Sequence, residues 1–193
     1  ILSSTLLKED VFMDFTGKVA LITGGGNGIG RATALGFADR GAAVVVVDLD
    51  SDAAAETVRL ITEDNKTAFD VCADVTRTSD VQAYVEAAIQ KYGRIDCFFN
   101  NAGIEGRVAP TAEYDEDVCD KVIAVNIKGV FLGLRHVLPV MLEQRAGTLV
   151  KMASIAALVG SPGMPAYVAS KHAVTSSTPY RSNNSCLLYT SDA

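Results

Sequence analysis

The sequence has no run of apolar residues long enough to span a membrane, and it has no excess of basic charge. Its longest apolar stretches are 42–47 and the interrupted 130–142, both shorter than the about 18 residues that a membrane-spanning helix needs. Lys and Arg number 17 against 23 Asp and Glu, a net charge of −6, whereas nucleic-acid binding favours a basic excess. We therefore expect neither a membrane nor a nucleic acid among the partners.

Cysteine, histidine and proline are also scarce. None of the four cysteines stands in a CxxC pair, which favours reduced thiols in a cytosolic protein over a metal site or disulfide framework. The two histidines, His136 and His172, indicate no site. Residues 1–12 lack the apolar segment of a signal peptide, and five prolines with 16 glycines in no repeating triplet exclude collagen. We expect one globular domain in the cytoplasm, without a metal.

Short apolar runs alternate with helical segments along the chain. The run 42–48 (AAVVVVD) has no polar alternation, which is typical of a strand buried on both faces. Repeated strand–helix units of this length imply a parallel sheet with right-handed crossovers. The fold class is therefore α/β, with a doubly wound, Rossmann-like parallel sheet. The predicted strands are 18–23, 42–48, 67–73, 95–99 and 147–153, and the predicted helices are 31–40, 51–64, 78–92, 115–142 with a break near Gly129, and one that starts at Ala166.

A glycine-rich loop, TGGGNGIG at 23–30, follows the first predicted strand and precedes a helix. Backbone N–H groups at a helix start bind anions, and glycines let a pyrophosphate approach closely. The spacing Gly24, Gly28, Gly30 is GxxxGxG, and a flexible turn is the alternative interpretation. Asp48 ends the second strand, where a carboxylate can accept hydrogen bonds from both ribose hydroxyls of NAD and would repel the 2′-phosphate of NADP. We therefore expect NAD, with an ordinary turn residue as the alternative for Asp48.

Two further polar segments follow predicted strands. Asp74 ends the third strand, and 100–103 (NNAG) ends the fourth. Because ligands of a doubly wound sheet lie outside the carboxyl ends of its strands, these segments, the glycine loop and Asp48 are predicted to meet at one edge.

The catalytic candidates follow the fifth predicted strand. Tyr167 and Lys171 lie four positions apart on a predicted helix and so share a face. A nearby ammonium stabilises the phenolate form of a tyrosine, which can then exchange a proton with an alcohol or carbonyl. Ser154 could hold the substrate oxygen. A surface pair and a strand-end cap are the alternatives, but the order of all these features along the chain favours an active site.

Together these motifs resemble the short-chain dehydrogenase/reductase family. The resemblance covers residues 13–174 and implies an NAD(P)-dependent enzyme that transfers a hydride between a secondary alcohol and a ketone. The matching segments are TGGGNGIG at 23–30, ADV at 73–75, NNAG at 100–103, VNIKG with Asn126, Ser154, and YVASK at 167–171.

The resemblance assigns roles to single residues. It makes Tyr167 the general acid/base, Lys171 the residue that tunes it and contacts the nicotinamide ribose, Ser154 the residue that orients the substrate oxygen, and Asn126 the holder of a water behind Lys171. The predicted cofactor-binding residues are Gly24, Asn27, Gly28, Ile29, Gly30, Asp48, Asp74, Val75, Asn101, Ala102, Gly103, Tyr167 and Lys171.

The sequence departs from the family pattern at single positions and at the ends. Lys151 stands where Asn or Ser is common, and Ala157 where Gly is common. Family members continue beyond the last predicted helix, and Thr178-Pro179 would end that helix. Residues 175–193 are rich in Ser and Thr, and their last eight (CLLYTSDA) resemble a translated sequencing adapter. We expect 13–174 to be a partial domain, incomplete at its C-terminal end, 1–12 a non-native or disordered leader, and 175–193 a foreign, unstructured tail.

Three alternatives to an alcohol or ketone oxidoreductase stay open. The chain could be a non-catalytic NAD sensor, a 3-oxoacyl-thioester reductase-like enzyme, or a polypeptide without function. The four catalytic candidates together argue against the sensor, so we expect an alcohol or ketone oxidoreductase, and we expect this chain to be an inactive fragment of it. The resemblance implies a homotetramer for the full-length parent, but the shortened last helix argues against assembly of the fragment. Substrate and reaction direction stay open.

Overall fold

The five apolar runs of the sequence form parallel strands, and a sixth strand comes from near the C-terminus. The computed structural model describes residues 13–176 and the backbone of 186–190. The strands are β1 (Val19–Thr23), β2 (Ala43–Asp48), β3 (Ala68–Cys72), β4 (Cys97–Asn100), β5 (Thr148–Met152) and β6 (Cys186–Thr190). The sheet has the order β3-β2-β1-β4-β5-β6, and all neighbours are parallel, which confirms the doubly wound fold.

Helices cover both faces of the sheet. Alternate residues of one strand face opposite sides, so Val45 of β2 lies in one core cluster and Val44 and Val46 lie in the other. The helices are α1 (Gly28–Ala38), α2 (Ser51–Thr62), α3 (Thr78–Tyr92), α4 (Glu116–Ile123), α5 (Val130–Gln144) and α6 (Pro165–Ser176). The first cluster includes residues of α3 and α5, and the second includes residues of α1 and α2.

Helix ends follow local side-chain chemistry. The carboxylate of Asp50 accepts hydrogen bonds from the backbone N–H groups of Asp52 and Ala53, both at 3.0 Å, and so caps α2. Helix α3 ends at Gly93, where φ is +74°, a conformation that glycine adopts without steric cost. The predicted helix 78–92 has the bounds of α3, whereas the predicted helix 51–64 extends two residues beyond the end of α2.

A wide turn joins α4 and α5 into one long helical segment. The predicted break near Gly129 is a π-helical turn, Ala124–Gly129, and not an interruption. Among the described residues, 116–144 is the one helical segment that is long and apolar enough to cross a membrane by length and composition alone. Its buried residues, among them Val137 and Met141, lie instead in the core cluster that also contains α3 and β4. The segment is therefore a core helix.

The C-terminal residues differ from the expected unstructured tail. Helix α6 continues to Ser176, and residues 186–190 pair in parallel with β5, Met152 opposite Thr190. A segment of sequence CLLYT has β-forming residues, and β5 would otherwise expose a row of backbone groups at the sheet edge. The foreign origin of this segment stays a prediction, and residues 1–12 lie outside the described part of the chain.

Candidate active site

A cavity of about 720 Å³ opens at the carboxyl edge of the sheet. It is lined by residues that follow β1, β2, β3, β4 and β5 and by the first half of α6. All thirteen predicted cofactor-binding residues line it, as does a second group that was not predicted to bind the cofactor. The second group is Leu49, Ala73, Ile104, Glu105, Val125, Met152 and Ala153. Each of them stands within a few positions of a predicted site residue, which is the signal that could have found it.

The glycine loop is packed too tightly for side chains at two positions. Gly24 has a φ of +65° and lies against Asn101 and Ala102, so a Cβ there would be strained and crowded. A Cβ on Gly30 would overlap the carbonyl oxygen of Gly24. The close approach of loop and helix start therefore requires glycine at both positions, and these two positions present only backbone to the cavity.

Thr23 ties the loops after β1 and β4 together. Its Oγ1 accepts hydrogen bonds from the backbone N–H groups of Asn101 (3.0 Å) and Ala102 (3.1 Å). The side-chain amide of Asn101 donates in return to the carbonyl oxygen of Thr23 at 3.0 Å. Thr23 is buried. It is the first residue of the glycine motif, but the motif assigns no role to its side chain.

The carboxylate of Asp48 is oriented by two backbone donors. The N–H of Gly26 donates to Oδ2 at 2.8 Å, and the N–H of Asp50 donates to Oδ1 at 3.1 Å. A Cβ on Gly26 would lie 2.8 Å from Oδ2, so the glycine permits this contact. Asp48 is thereby held at the cavity wall with lone pairs left for a ligand.

A buried threonine on α2 supports the glycine loop from behind. Thr57 Oγ1 lies 3.0 Å from the Gly25 carbonyl oxygen, to which it donates, and it accepts a hydrogen bond from Arg31 Nε at 3.0 Å. This contact joins α2 to the loop and to α1. Nothing in the local sequence of α2 distinguishes Thr57 from a surface threonine, so only the fold reveals it.

Tyr167 and Lys171 lie side by side on α6 and both line the cavity. The Lys171 Nζ lies 5.5 Å from the centroid of the Tyr167 ring and donates to the Met152 carbonyl oxygen at 2.9 Å. Lys171 is 5% exposed, so its ammonium acts on the ring through little water. The ring and the ammonium therefore lie together next to the end of β5.

The other two catalytic candidates lie beside the cavity and not on its wall. Ser154 directly follows Met152 and Ala153, which line it, and Ser154 Oγ accepts a hydrogen bond from the Ala156 N–H at 3.2 Å. Asn126 lies in the π-helical turn and is 1% exposed. A water at Asn126 stays a prediction, because its side-chain amide already bonds to Ile104 and Ser170.

The two positions that depart from the family pattern are both buried. Lys151 is 4% exposed on β5, and its Nζ donates to the Val174 carbonyl oxygen of α6 at 2.7 Å. Burial lowers the pKa of Lys151. Ala157 lies in a short 3-10 turn, where its N–H donates to the Ser154 carbonyl oxygen at 2.9 Å. Both residues therefore fix elements next to the site and do not enter the cavity.

No metal site accompanies this cavity in the part of the chain that the structure describes. No group of three or more His, Cys, Asp or Glu side chains there is placed to hold a metal ion. Cys72, Cys97 and Cys119 are free thiols, and burial raises the pKa of the Cys97 thiol to about 11. The cavity presents backbone amides, Asp48, Tyr167 and Lys171.

Comparisons with known proteins find relatives of similar sequence. The chain is 44% identical over 166 residues to levodione reductase of Leifsonia aquatica. The matched residues cover 85% of this chain and 62% of that protein. It is 41% identical over 164 residues to cyclohexanol dehydrogenase of Acinetobacter sp. (strain SE19), covering 85% of this chain and 65% of the relative. The chain thus spans less than two thirds of the length of these relatives.

A solved structure gives the same result for the fold. The crystal structure of NAD⁺-bound xylitol dehydrogenase superposes with a TM-score of 0.83 at 36% identity, covering 85% of this chain and 63% of that chain. A sequence model of the family described as "short chain dehydrogenase" matches residues 18–181. The chain belongs to the short-chain dehydrogenase family.

Proposed function

We propose that this chain carries the cofactor and catalytic residues of an NAD-dependent oxidoreductase that interconverts a secondary alcohol and a ketone. The observation that carries the proposal is the shared cavity: the glycine loop, Asp48, Tyr167 and Lys171 all line it. A nucleotide bound along the loop would therefore extend to the tyrosine. The relatives named as dehydrogenases and reductases support the same reaction class.

The residues present fit NAD. The loop without side chains at Gly24 and Gly30 leaves backbone N–H groups at the start of α1 for a pyrophosphate. Asp48 is positioned to accept hydrogen bonds from ribose hydroxyls and to repel a 2′-phosphate, which favours NAD over NADP. An NAD⁺-bound relative supports this choice. The chemistry that NAD supplies when bound is acceptance of a hydride from the alcohol carbon.

Tyr167 exchanges the proton that accompanies this hydride. Its phenolic oxygen takes the proton of the alcohol hydroxyl in the oxidation and returns it to the carbonyl oxygen in the reduction. Lys171 stabilises the phenolate that this requires, since its buried ammonium lies 5.5 Å from the ring centroid. The hydrogen bond from Lys171 to the Met152 carbonyl oxygen holds the ammonium in this position.

Ser154 and Asn126 complete the proposed site. Ser154 Oγ accepts from the Ala156 N–H, which leaves its own hydrogen for the substrate oxygen next to Tyr167. Asn126 is proposed to hold the water that supplies protons to Lys171. Its buried place on the inner side of the π-helical turn agrees with this role.

We infer an apolar, cyclic secondary alcohol or ketone as the substrate class. Ile155, Leu158 and Val159 follow Ser154 and are 61%, 69% and 55% exposed. Exposed apolar side chains beside a reactive group are typical of a binding surface for an apolar ligand. The names of the levodione and cyclohexanol relatives agree with a ring as substrate.

We also propose that the enzyme is cytoplasmic and binds neither nucleic acid nor a membrane. The full-length protein is proposed to be a homotetramer.

Replacement of Tyr167 tests this function. Because the chain spans less than two thirds of the length of its relatives, turnover is measured as NADH formation at 340 nm with cyclohexanol in the full-length product of the same gene. Loss of a general acid/base costs about 10²–10⁴-fold, so Tyr167→Phe should lower kcat by at least about 100-fold. The matched control is Tyr84→Phe, since the Tyr84 hydroxyl is buried within the core and has no hydrogen-bond partner in the described residues. Equal kcat in Tyr167→Phe and the unmodified enzyme would refute the proposal.

A further inference from the structure

A buried chain of hydrogen bonds links the loop after β4 to the helix that carries Tyr167. Asn126 Oδ1 accepts from the Ile104 N–H at 2.8 Å, and Asn126 Nδ2 lies 2.9 Å from the Ile104 carbonyl oxygen. The same Nδ2 lies 2.9 Å from Ser170 Oγ, which in turn lies 2.7 Å from the carbonyl oxygen of Tyr167. Asn126 is 1% exposed and Ser170 is 0% exposed.

The direction of each bond follows from its donors. The backbone N–H of Ile104 can only donate, so the side-chain atom of Asn126 that it meets is the oxygen. The Asn126 amide nitrogen then gives one hydrogen to the Ile104 carbonyl and the other to Ser170. Ser170 therefore accepts from Asn126 and keeps its own hydrogen for the Tyr167 carbonyl. Each hydrogen has one acceptor, and a change at Ser170 would leave an Asn126 hydrogen buried without a partner.

The chain of bonds runs directly behind the proposed reactive groups. Ile104 lines the cavity, and Ser170 lies between Tyr167 and Lys171 on α6. A Cβ on Gly103 would lie 3.2 Å from Asn126 Oδ1 and 3.6 Å from Lys171 Nζ. The amide of Asn126 and the ammonium of Lys171 thus both lie close to Gly103.

We propose that Ser170 is a positioning residue: it connects Asn126 to the backbone of Tyr167 and so fixes the turn of α6 that presents Tyr167 and Lys171 to the cavity. This rests on the proposed function, in which those two residues carry the proton transfer. Ser170 does not touch substrate or cofactor in this arrangement, because it does not line the cavity. Its effect passes through the orientation of the tyrosine, where a displacement of about 1 Å can cost about 100-fold in rate.

Serine-to-alanine substitutions on the same helix test the proposal. Ser170→Ala removes the link, whereas Ser176→Ala removes a serine whose Oγ bonds only to backbone carbonyls of α6, those of His172 and Ala173. In the full-length enzyme with cyclohexanol, Ser170→Ala should lower kcat about tenfold with the KM for NAD unchanged, and Ser176→Ala should change neither. In an Asn126→Ala background, Ser170→Ala should cause no further loss, because the link is already broken.

A second measurement does not depend on turnover. Hydrogen–deuterium exchange of the 193-residue chain without NAD should be faster in 165–171 for Ser170→Ala by about threefold or more, and unchanged there for Ser176→Ala. Unchanged exchange together with a kcat within about twofold of the unmodified enzyme would overturn the proposal, as would a full additional loss in the Asn126→Ala background. If Tyr167→Phe leaves turnover intact, the proposed function fails, while the exchange measurement still decides the role of Ser170.

Discussion

Asp48 is the residue that carries the proposed preference for NAD over NADP. Backbone N–H groups of Gly26 and Asp50 hold its two oxygens, so the charge has a fixed position at the cavity wall. Asp48→Ala removes both the ribose acceptor and the repulsion of a 2′-phosphate. We expect the Kd for NAD to rise about tenfold and the Kd for NADP to fall, measured by fluorescence titration with the reduced dinucleotides.

Asp48→Asn separates the two effects. An asparagine keeps the size of the side chain and one acceptor oxygen but loses the negative charge. We expect its Kd for NADP to fall as in Asp48→Ala, with a smaller loss of NAD affinity. A Kd for NADP that stays unchanged in both variants would contradict the charge argument.

Gly30 and Gly36 lie on the same helix and allow a matched comparison of Gly→Ala changes. A Cβ on Gly30 would overlap the Gly24 carbonyl oxygen, whereas a Cβ on Gly36 meets only the flexible end of Arg40 at 3.7 Å. Gly30→Ala should lower the free energy of unfolding by about 3 kcal/mol or more, because backbone must move. Gly36→Ala should raise it by up to about 1 kcal/mol through helix propensity. Urea denaturation monitored by circular dichroism measures both, and equal effects would contradict the steric argument.

Site residues differ in how visible they are in the sequence. Three site residues could be predicted from their local sequence. Gly24 and Asp48 stand at the ends of strands, where ligands of such a sheet bind, and Tyr167 lies four positions from Lys171 on one helix face. Thr57 and Ser170 could not, because their partners are brought to them from elements 31 and 44 residues away in the sequence. A hydroxyl that bonds across the fold has the same local sequence as one that faces water.

At the scale of elements, the buried carboxylate of Asp96 joins the start of β4 to the start of β1. It accepts a hydrogen bond from the Val19 N–H at 2.9 Å and from Arg94 at 2.7 and 2.5 Å, with Lys18 Nζ at 3.7 Å. Burial alone would raise the pKa of Asp96, but the hydrogen bonds from Arg94 and Val19 and the charges of Arg94 and Lys18 outweigh it and hold that pKa below its ordinary value. The ionised form is therefore the one that holds the two strands together.

This predicts an acid-side loss of stability. The pKa of Asp96 is lower in the folded state than in the unfolded chain. Its ionised carboxylate therefore contributes fully to the free energy of unfolding well above about pH 4, and this contribution disappears as the pH falls through the folded-state pKa. Asp96→Asn should lower the free energy of unfolding at pH 7 by about 1–3 kcal/mol and should flatten its decrease below pH 4. Denaturation curves between pH 7 and pH 3 measure this. Parallel curves for the two proteins would contradict it.

The elements themselves could be predicted better than their ends and joints. The uninterrupted apolar run of β2 and the glycine after α3 allowed the bounds of these two elements to be predicted to within one or two residues. The π-helical turn at 124–129 was expected only as a break, since its sequence, AVNIKG, has no residue that separates an interruption from a widened turn. The strand at 186–190 was missed because its pairing depends on the free edge of β5, which is a property of the sheet and not of the segment.

At the scale of the whole molecule, the cavity is a property of the complete sheet. Its walls come from the ends of β1 to β5 and from α6, and the loops after β1 and β4 are joined by Thr23 and Asn101. No single strand–helix unit contains the site, so it exists only when the five strands are assembled. The chain spans less than two thirds of its relatives' length, yet it includes each of these walls.

NAD should therefore stabilise the folded chain as a whole. A ligand that binds only the folded state at 100 times its Kd adds about 2.7 kcal/mol, which for a protein of this size corresponds to a Tm about 5–10 °C higher. Differential scanning fluorimetry of the 193-residue chain measures this. Val85→Ala is the control, because Val85 is buried on α3 and does not line the cavity: its Tm should be lower without NAD, but the increase with NAD should be the same. A shift below about 1 °C at saturating NAD in both proteins would mean that the assembled sheet edge does not bind the cofactor.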